Sequence, residues 1–173
     1  MQAILNCDKN WGIGKNNDLL FKLPSDMAFF RKMTSGKVVV MGSNTFLSLA
    51  NQKPLKNRTN IVLWPGGDKK RAERDNFIMA ESIEELFSIL KTYETDNIFI
   101  IGGAMMYKTM LPYCKYVYLT RVDADGEAQV FFQNLSKLDN WKLIKESEPQ
   151  IDNSYKITFT VWENSSVKEL VCH

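Results

Sequence analysis

The groups in this chain that could do chemistry are few polar side chains set among apolar ones. Asp26 lies in the run Leu23-Pro24-Ser25-Asp26-Met27-Ala28-Phe29-Phe30-Arg31-Lys32-Met33, where a proline followed by helix formers marks a helix start. On that helix Asp26, Phe30 and Met33, at i, i+4 and i+7, share one face while Arg31 and Lys32 point elsewhere. A carboxylate on an apolar face is expensive to bury unless something pairs with it, which suits a group that meets a ligand's donors. The helix macrodipole equally favours a solvated aspartate in a first turn, and spacing alone leaves both readings open. Thr120 sets a hydroxyl into the apolar stretch Tyr116–Val122. Gly102-Gly103 stands between a strand pattern and a helix pattern, where a ligand or another backbone can approach closely, though it is not the G-x-G-x-x-G fingerprint. Gly42-Ser43-Asn44-Thr45 makes a similar junction, whose free N–H groups suit a phosphate or a plain helix cap. Gly12 and Gly14 bracket a loop ahead of Asp26 and are expected there for backbone angles that other residues resist.

Other chemistries are disfavoured. The single histidine is His173, the last residue, so a Ser-His-Asp or Cys-His mechanism would depend on a frayed end. Cys7, Cys114 and Cys172 are odd in number and scattered, against a disulfide framework and against a zinc or other metal site. A net charge of +2 is too small to argue for nucleic acid or a membrane surface. Carboxylates, hydroxyls, backbone groups and a cofactor are left to do the work. No apolar run reaches transmembrane length. Met1-Gln2 passes straight into Ala3-Ile4-Leu5 with no basic start, so a soluble cytoplasmic protein is expected. With 173 residues, one domain can bury its own core.

The elements that must position these groups follow from patterning. Residues 2–8 read as a buried strand. The β-branched run at 37–42 suits a parallel strand covered on both faces, and a helix follows to about Ala50. Residues 51–57 form a loop around Pro54-Leu55, and Arg58 precedes the strand Thr59–Leu63. Trp64-Pro65-Gly66-Gly67 turns into the basic run Lys69-Lys70-Arg71, with Arg74 beyond, the composition of a solvated surface. A short strand at 77–79 is followed by a helix to about Tyr93, opened by the capping-box pattern Ser82 to Glu85. A buried strand at 97–101 runs into Gly102-Gly103 and a helix at 104–111, stopped by Pro112. Tyr116–Val122 is a further strand, 123–129 a polar loop, and Trp141–Glu146 with 155–163 a hairpin-like pair. Alternating strands and helices mean an α/β domain with a mostly parallel sheet, right-handed crossovers and an antiparallel C-terminal edge. Residues 1–163 carry this pattern, and the tail 164–173 has none.

Six matches now stand in register: Gly12-Ile13-Gly14 with Asn16-Asn17; Leu23-Pro24-Ser25-Asp26; Val40-Met41-Gly42 with Thr45; Arg58-Thr59-Asn60-Ile61-Val62; Ile101-Gly102-Gly103 with Tyr107; and Tyr118-Leu119-Thr120. Together they resemble the dihydrofolate reductase family, from residue 3 to about 163. The resemblance implies an eight-stranded sheet with helices on both faces. It also implies reduction of 7,8-dihydrofolate to tetrahydrofolate by hydride transfer from NADPH to C6 and protonation of N5.

Position by position, the resemblance makes Asp26 the carboxylate for the pterin's N3 and 2-amino group, supported by Thr120 through a water. Leu5 and Ile101 would offer backbone carbonyls to the pterin. Met27, Phe30, Leu49 and Leu55 would wall the pocket, and Arg58 would grip the glutamate α-carboxylate. The cofactor would lie along Asn6, Ile13, Gly14, Asn17, Asp18 and Leu19 at the nicotinamide. Gly42, Ser43, Asn44 and Thr45 would flank it, with Ile101, Gly102, Gly103, Ala104, Met105, Met106 and Tyr107 opposite, and Leu63 and Trp64 at the adenosine. Antifolate inhibitors would be further ligands, and the family is usually monomeric.

The departures concentrate on particular positions. Phe21 replaces a tryptophan whose indole N–H helps order a water, which removes a donor. Asn6 replaces a small alanine. Ser43-Asn44, Met105 and Trp64-Pro65 stand where residues holding the NADPH 2′-phosphate are common, and Ala128-Gln129-Val130 replaces Gly-Asp-Thr. Recognition of that phosphate is therefore expected from Lys69, Lys70, Arg71 and Arg74. A reductase of another pterin or pyrimidine, and a non-catalytic folate-binding module, are the two alternatives. Arg58 beside Pro54-Leu55 speaks against the first, since a folate tail is what needs that grip.

Overall fold

The computed structural model describes residues 1–171; Cys172 and His173, and the expectation of a frayed terminal histidine, lie outside the described residues. The chain runs β1 (Gln2–Cys7), β2 (Gly12–Gly14), α1 (Pro24–Thr34), β3 (Val38–Gly42), α2 (Ser43–Ser48), β4 (Thr59–Leu63), α3 (Lys69–Asp75), β5 (Ile78–Ala80) and α4 (Ile83–Leu90). It continues through β6 (Ile98–Gly102), α5 (Ala104–Met110), β7 (Tyr116–Val122), β8 (Val130–Phe131), β9 (Trp141–Glu146), β10 (Gln150–Asp152) and β11 (Tyr155–Asn164).

The main sheet has the order β5-β4-β3-β6-β1-β7-β11, with both β9 and β10 on the far side of β11. Pairing is parallel from β5 to β7 and antiparallel beyond it. Strands β9 and β10 pair in succession with the two halves of β11, so they fill one strand's place and the sheet is eight positions wide. Its central strands are nearly all apolar: Val39, Val40, Met41, Ile61, Val62, Ile98 and Ile100 are buried, as a sheet covered on both faces requires.

A cleft opens where this sheet splits. Strands β1 and β6 pair only at Gln2–Phe99 and Ala3–Ile100. Beyond them β6 shifts register against β3, from Val40–Ile100 to Met41–Gly102. The carboxyl ends of β1 and β6 therefore diverge. Open α/β sheets bind ligands outside the carboxyl ends of strands at such a point.

Several local devices differ from the sequence expectation. The basic run is largely exposed, as a solvated surface should be, but it is also a helix that the sequence reading lacked: Lys69–Asp75, capped by the Asp68 carboxylate, which accepts from Arg71 N at 3.2 Å, and ended by Asn76 in the left-handed region. Gly12 and Gly14 have ordinary φ, and positive φ falls instead on Trp11, Asn16 and Asn17. The two glycines serve close packing: a Cβ on Gly12 would sit 2.3 Å from Ala128 Cβ, and one on Gly14 would sit 2.9 Å from Val130 Cγ2. That contact lets β2 pair with β8. Ser82 does cap α4, accepting from Glu85 N at 3.1 Å, and the Glu85 carboxylate turns back to Glu81 N at 2.7 Å. The described part of the tail docks on the body, with Lys168 N donating to Pro112 O at 2.9 Å and Leu170 packed on the main core.

Candidate active site

Helix α1 starts at Pro24, whose missing N–H is no loss in a first turn. Ser25 does not cap it. The buried Asp152, on β10, accepts from Ser25 N at 2.9 Å and Asp26 N at 3.3 Å. An anion at the N-terminus satisfies orphan donors and favours the dipole, and this long-range cap fixes the helix against the sheet. No local sequence pattern signals it.

Asp26 is buried on the sheet-facing side of that helix. Thr120 Oγ1 donates to Asp26 Oδ1 at 2.6 Å, and Asn6 Nδ2 donates to Asp26 Oδ2 at 2.9 Å. Thr120 thus acts by direct contact where a bridging water was expected. Asn6, expected beside the cofactor, is turned onto the carboxylate. Asn6 and Thr120 are register partners on β1 and β7, so the two donors come from neighbouring points of one sheet face. Burial raises the Asp26 pKa above the ordinary carboxylate value and the Asp152 charge adds to that, while the bonds from Thr120 and Asn6 pull it back.

Along the same helix face, Asp26, Phe30 and Thr34 stand at i, i+4 and i+8. Arg58 reaches this face at its far end: its Nη1 donates to Thr34 Oγ1 at 3.1 Å and its Nε to Lys56 O at 2.9 Å. Asn60 braces the loop, exchanging bonds with Leu55 N and O and donating to Arg58 O. No ion pair to Arg58 occurs among the described residues. Burial lowers its pKa and the nearby Arg31 charge lowers it further. This end of the cleft is cationic without a protein carboxylate to answer it. Leu49, Leu55 and Ile101 pack in one apolar cluster with Met41 and Phe46, and Met27 beside Asp26 is half exposed. These are the side chains an apolar ring could lie against.

At the sheet split, the Tyr107 hydroxyl on α5 donates to Ile4 O at 3.0 Å. Successive carbonyls of a strand point to opposite sides, so Ile4 faces the gap towards β6 and Leu5 faces its partner Leu119 on β7. The carbonyl available in the gap belongs to Ile4, where Leu5 was expected.

The other half of the cleft is built from backbone. Gly102 has φ +137, and a Cβ there would sit 3.0 Å from Thr45 Oγ1; at Gly103 the distance is 3.2 Å. Only glycines let the start of α2 close so tightly on the start of α5. Ser43, Asn44 and Thr45 open α2 and Ala104, Met105 and Met106 open α5, without a side-chain cap among the described residues. Met105 is almost fully exposed, but the Met106 side chain is buried in the main core, leaving at most its backbone for the cleft. From the loop after β2, Asn17 Nδ2 reaches Asn44 O at 3.3 Å, so this loop spans to α2. Gln129 ties the loop down, accepting from Asn16 N at 2.9 Å and donating its own N–H to Gly14 O at 2.9 Å. Ile13 packs on the main core and Asp18 N bonds Lys15 O. Phe21 is buried edge-on to Tyr155 and brings no donor.

Beyond Leu63 and Trp64 the expected phosphate-binding cations are engaged elsewhere. Lys69 pairs with Glu81 at 2.8 Å, and Arg74 pairs with Asp75 at 3.3 Å. Arg71 lies over the rings of Phe46 and Trp64 and bonds Gln52 O at 3.0 Å. Lys70 is exposed, with no partner among the described residues.

A family model described as dihydrofolate reductase matches residues 1–164. The chain is 34% identical over 165 residues to dihydrofolate reductase of Bacillus subtilis, covering 94% of each chain. It is 33% identical over 151 residues to that of Haemophilus influenzae, covering 86% of this chain and 89% of the relative. Among solved structures it resembles dihydrofolate reductase from Enterococcus faecalis complexed with NADP(H) and RAB-propyl, at TM-score 0.81 and 28% identity. That match covers 94% of this chain and 95% of the other.

Proposed function

This chain belongs to the dihydrofolate reductase family and reduces dihydrofolate to tetrahydrofolate with NADPH, and from that premise we propose which of its residues do the work. The observation that carries the reading is the α1 face. It presents a buried carboxylate at Asp26 and, through Thr34, a guanidinium at Arg58. Eight residues at a helical rise of 1.5 Å put these ends about 12 Å apart along the axis. A folate has a ring with donors at one end, a carboxylate at the other and an apolar ring between.

Each Asp26 oxygen takes one protein donor and keeps a second acceptor site. Those sites receive the pterin's N3–H and 2-amino group, and a charge-assisted two-point bond fixes the ring's orientation. The Ile4 and Ile101 carbonyls face the ring's edge. Met27, Phe30, Leu49 and Leu55 enclose the aminobenzoyl ring and exclude water. Arg58, already held by Thr34 and Lys56 O, takes the α-carboxylate on its planar fork.

The Gly102-Gly103 cradle, which a Cβ would fill, fits a cofactor pyrophosphate, flanked by Gly42 to Thr45 and Ala104 to Tyr107. Asn17, Asp18 and Leu19 would cover the nicotinamide. Bound NADPH supplies the hydride for C6. The protein's part is positioning and help with the proton at N5: that proton comes from water, and the Asp26 anion favours its transfer by stabilising the protonated ring. Burial makes it a weaker acid than a free carboxyl, while the bonds from Thr120 and Asn6 favour the anion.

We also read residues 1–163 as the reductase domain with 164–173 as a tail, and the protein as a cytoplasmic monomer open to antifolate inhibitors. No described helix is long and apolar enough to cross a membrane. The test is loss of absorbance at the nicotinamide band with dihydrofolate and NADPH, for the wild type and Asp26→Asn. Turnover in the wild type that collapses in the variant supports the assignment. Near-normal turnover in the variant at neutral pH overturns it.

A further inference from the structure

We infer that Asn6 is a positioning residue for the reduction, its carboxamide fixing the Asp26 carboxylate for the pterin. The inference rests on the reading of Asp26 given above. Asn6 and Thr120 face each other across β1 and β7, and each takes a different oxygen of Asp26, at 2.9 and 2.6 Å. A carboxylate only accepts, so the amide nitrogen, not its oxygen, is the atom turned to Asp26. With both oxygens held, rotation about the terminal side-chain torsion is blocked, and the acceptor sites left over point into the cleft. Phe21, buried against Tyr155, offers no donor, so Asn6 is the second of the two side chains that hydrogen-bond this carboxylate among the described residues.

The groups facing Asp26 are few. Thr120 comes from β7, Asn6 from β1, Asp152 from β10 and Tyr107 from α5. The Tyr107 hydroxyl is committed to Ile4 O. Arg31 and Lys32 on α1 itself are exposed on other faces. Asp152 is a second negative charge and opposes ionisation. Among the described residues no cation stands against Asp26, so there the anion is supported by two neutral side-chain donors. A bond to a charged group is worth enough to change acidity by about an order of magnitude. Losing Asn6 should therefore be read directly in the carboxyl's titration.

The experiment is a carboxyl carbon NMR titration of the full chain with aspartate selectively labelled, with Asp26 assigned by its loss in Asp26→Asn. It is run on the wild type, Asn6→Leu and Asn6→Ala, and paired with the pH profile of kcat. Leucine matches asparagine in size, lacks the donor and keeps water out; alanine admits water and should give a smaller change. Asp26 should become about a tenfold weaker acid in Asn6→Leu, with the pH profile displaced upward alongside it. A merely structural Asn6 would lower activity at every pH without moving either midpoint. An unchanged Asp26 midpoint in Asn6→Leu overturns the inference, and Asn6→Ala decides it if the leucine variant does not fold. If Asp26→Asn keeps normal turnover, the role of Asp26 fails instead, while the titration still reports on Asn6.

Discussion

The two ends of the cleft are built on different principles. At the end proposed for the pterin the polar groups are held in place: Asp26 is buried and bonded by Asn6 and Thr120, its helix is capped by Asp152, and Arg58 is pinned to Thr34. At the end proposed for the adenosine, glycines, backbone amides and aromatic surface line the cleft; Lys69, Arg74 and Arg71 engage Glu81, Asp75 and Gln52, and Lys70 is exposed. Buried charge in a low-dielectric pocket is strong, directional and poorly screened; exposed charge is weak and yields to salt. On the proposed assignment, the difference teaches that buried charge serves the substrate, while the cofactor meets glycines, backbone and exposed cations that salt can screen.

Breaking the pterin end should have the largest effect. Asp26→Asn keeps the shape but removes the charge and turns donors on donors. Turnover should fall roughly 10²- to 10⁴-fold while NADPH still binds, as followed by stopped-flow absorbance and by protein fluorescence. Loss of NADPH binding as well would mean that the two ends are not separable.

Next in size is Arg58→Ala, remote from the reacting atoms. It should raise KM for dihydrofolate by about 1.5–3 kcal/mol in binding terms with kcat little changed. A pterin without the glutamate tail is the control. Equal weakening of the truncated substrate would show that Arg58 does not hold the carboxylate.

A smaller effect is expected in stability. The Asp26 pKa is raised in the folded protein, so its contribution is fully present below the unfolded carboxyl's pKa and is lost as pH rises through the folded value. In urea melts the advantage of Asp26→Asn over the wild type should grow with pH across that window and then level off. A difference independent of pH would deny that burial of the charge is costly.

The smallest change concerns the cofactor. Replacing Lys69 and Lys70 with alanine should reduce the preference for NADPH over NADH only a few-fold, as exposed cations allow, and less at high salt. Arg71→Ala should instead lower thermal stability, because its guanidinium lies on Phe46 and Trp64. An unchanged preference in the double variant would place the phosphate on other groups.

The fold and the family resemblance were legible because their signals are local, in strand and helix patterns and six short motifs. Asp26 and Thr120 stand out as polar groups among apolar ones, but spacing alone left Asp26 open, and the part given to Arg58 came from the resemblance. What the sequence hid was long-range. The Asp152 cap lies 127 residues from Ser25, and the Asn6–Asp26 bond depends on which way a partly buried amide turns. The Ile4 carbonyl is identified only by where β1 and β6 stop pairing. Gln129 was seen only as a departure, yet it fastens the loop after β2. The α3 helix was missed for a different reason: a run of cations reads as solvated surface until Asp68 is seen capping it.

The contrast between the ends is tested most directly by equilibrium binding at low and high ionic strength, for NADPH and for a pterin lacking the glutamate tail. The pterin meets a buried carboxylate, so its affinity should hardly change with salt, whereas NADPH affinity should fall as the exposed cations are screened. A salt-sensitive pterin with a salt-insensitive NADPH would contradict the account.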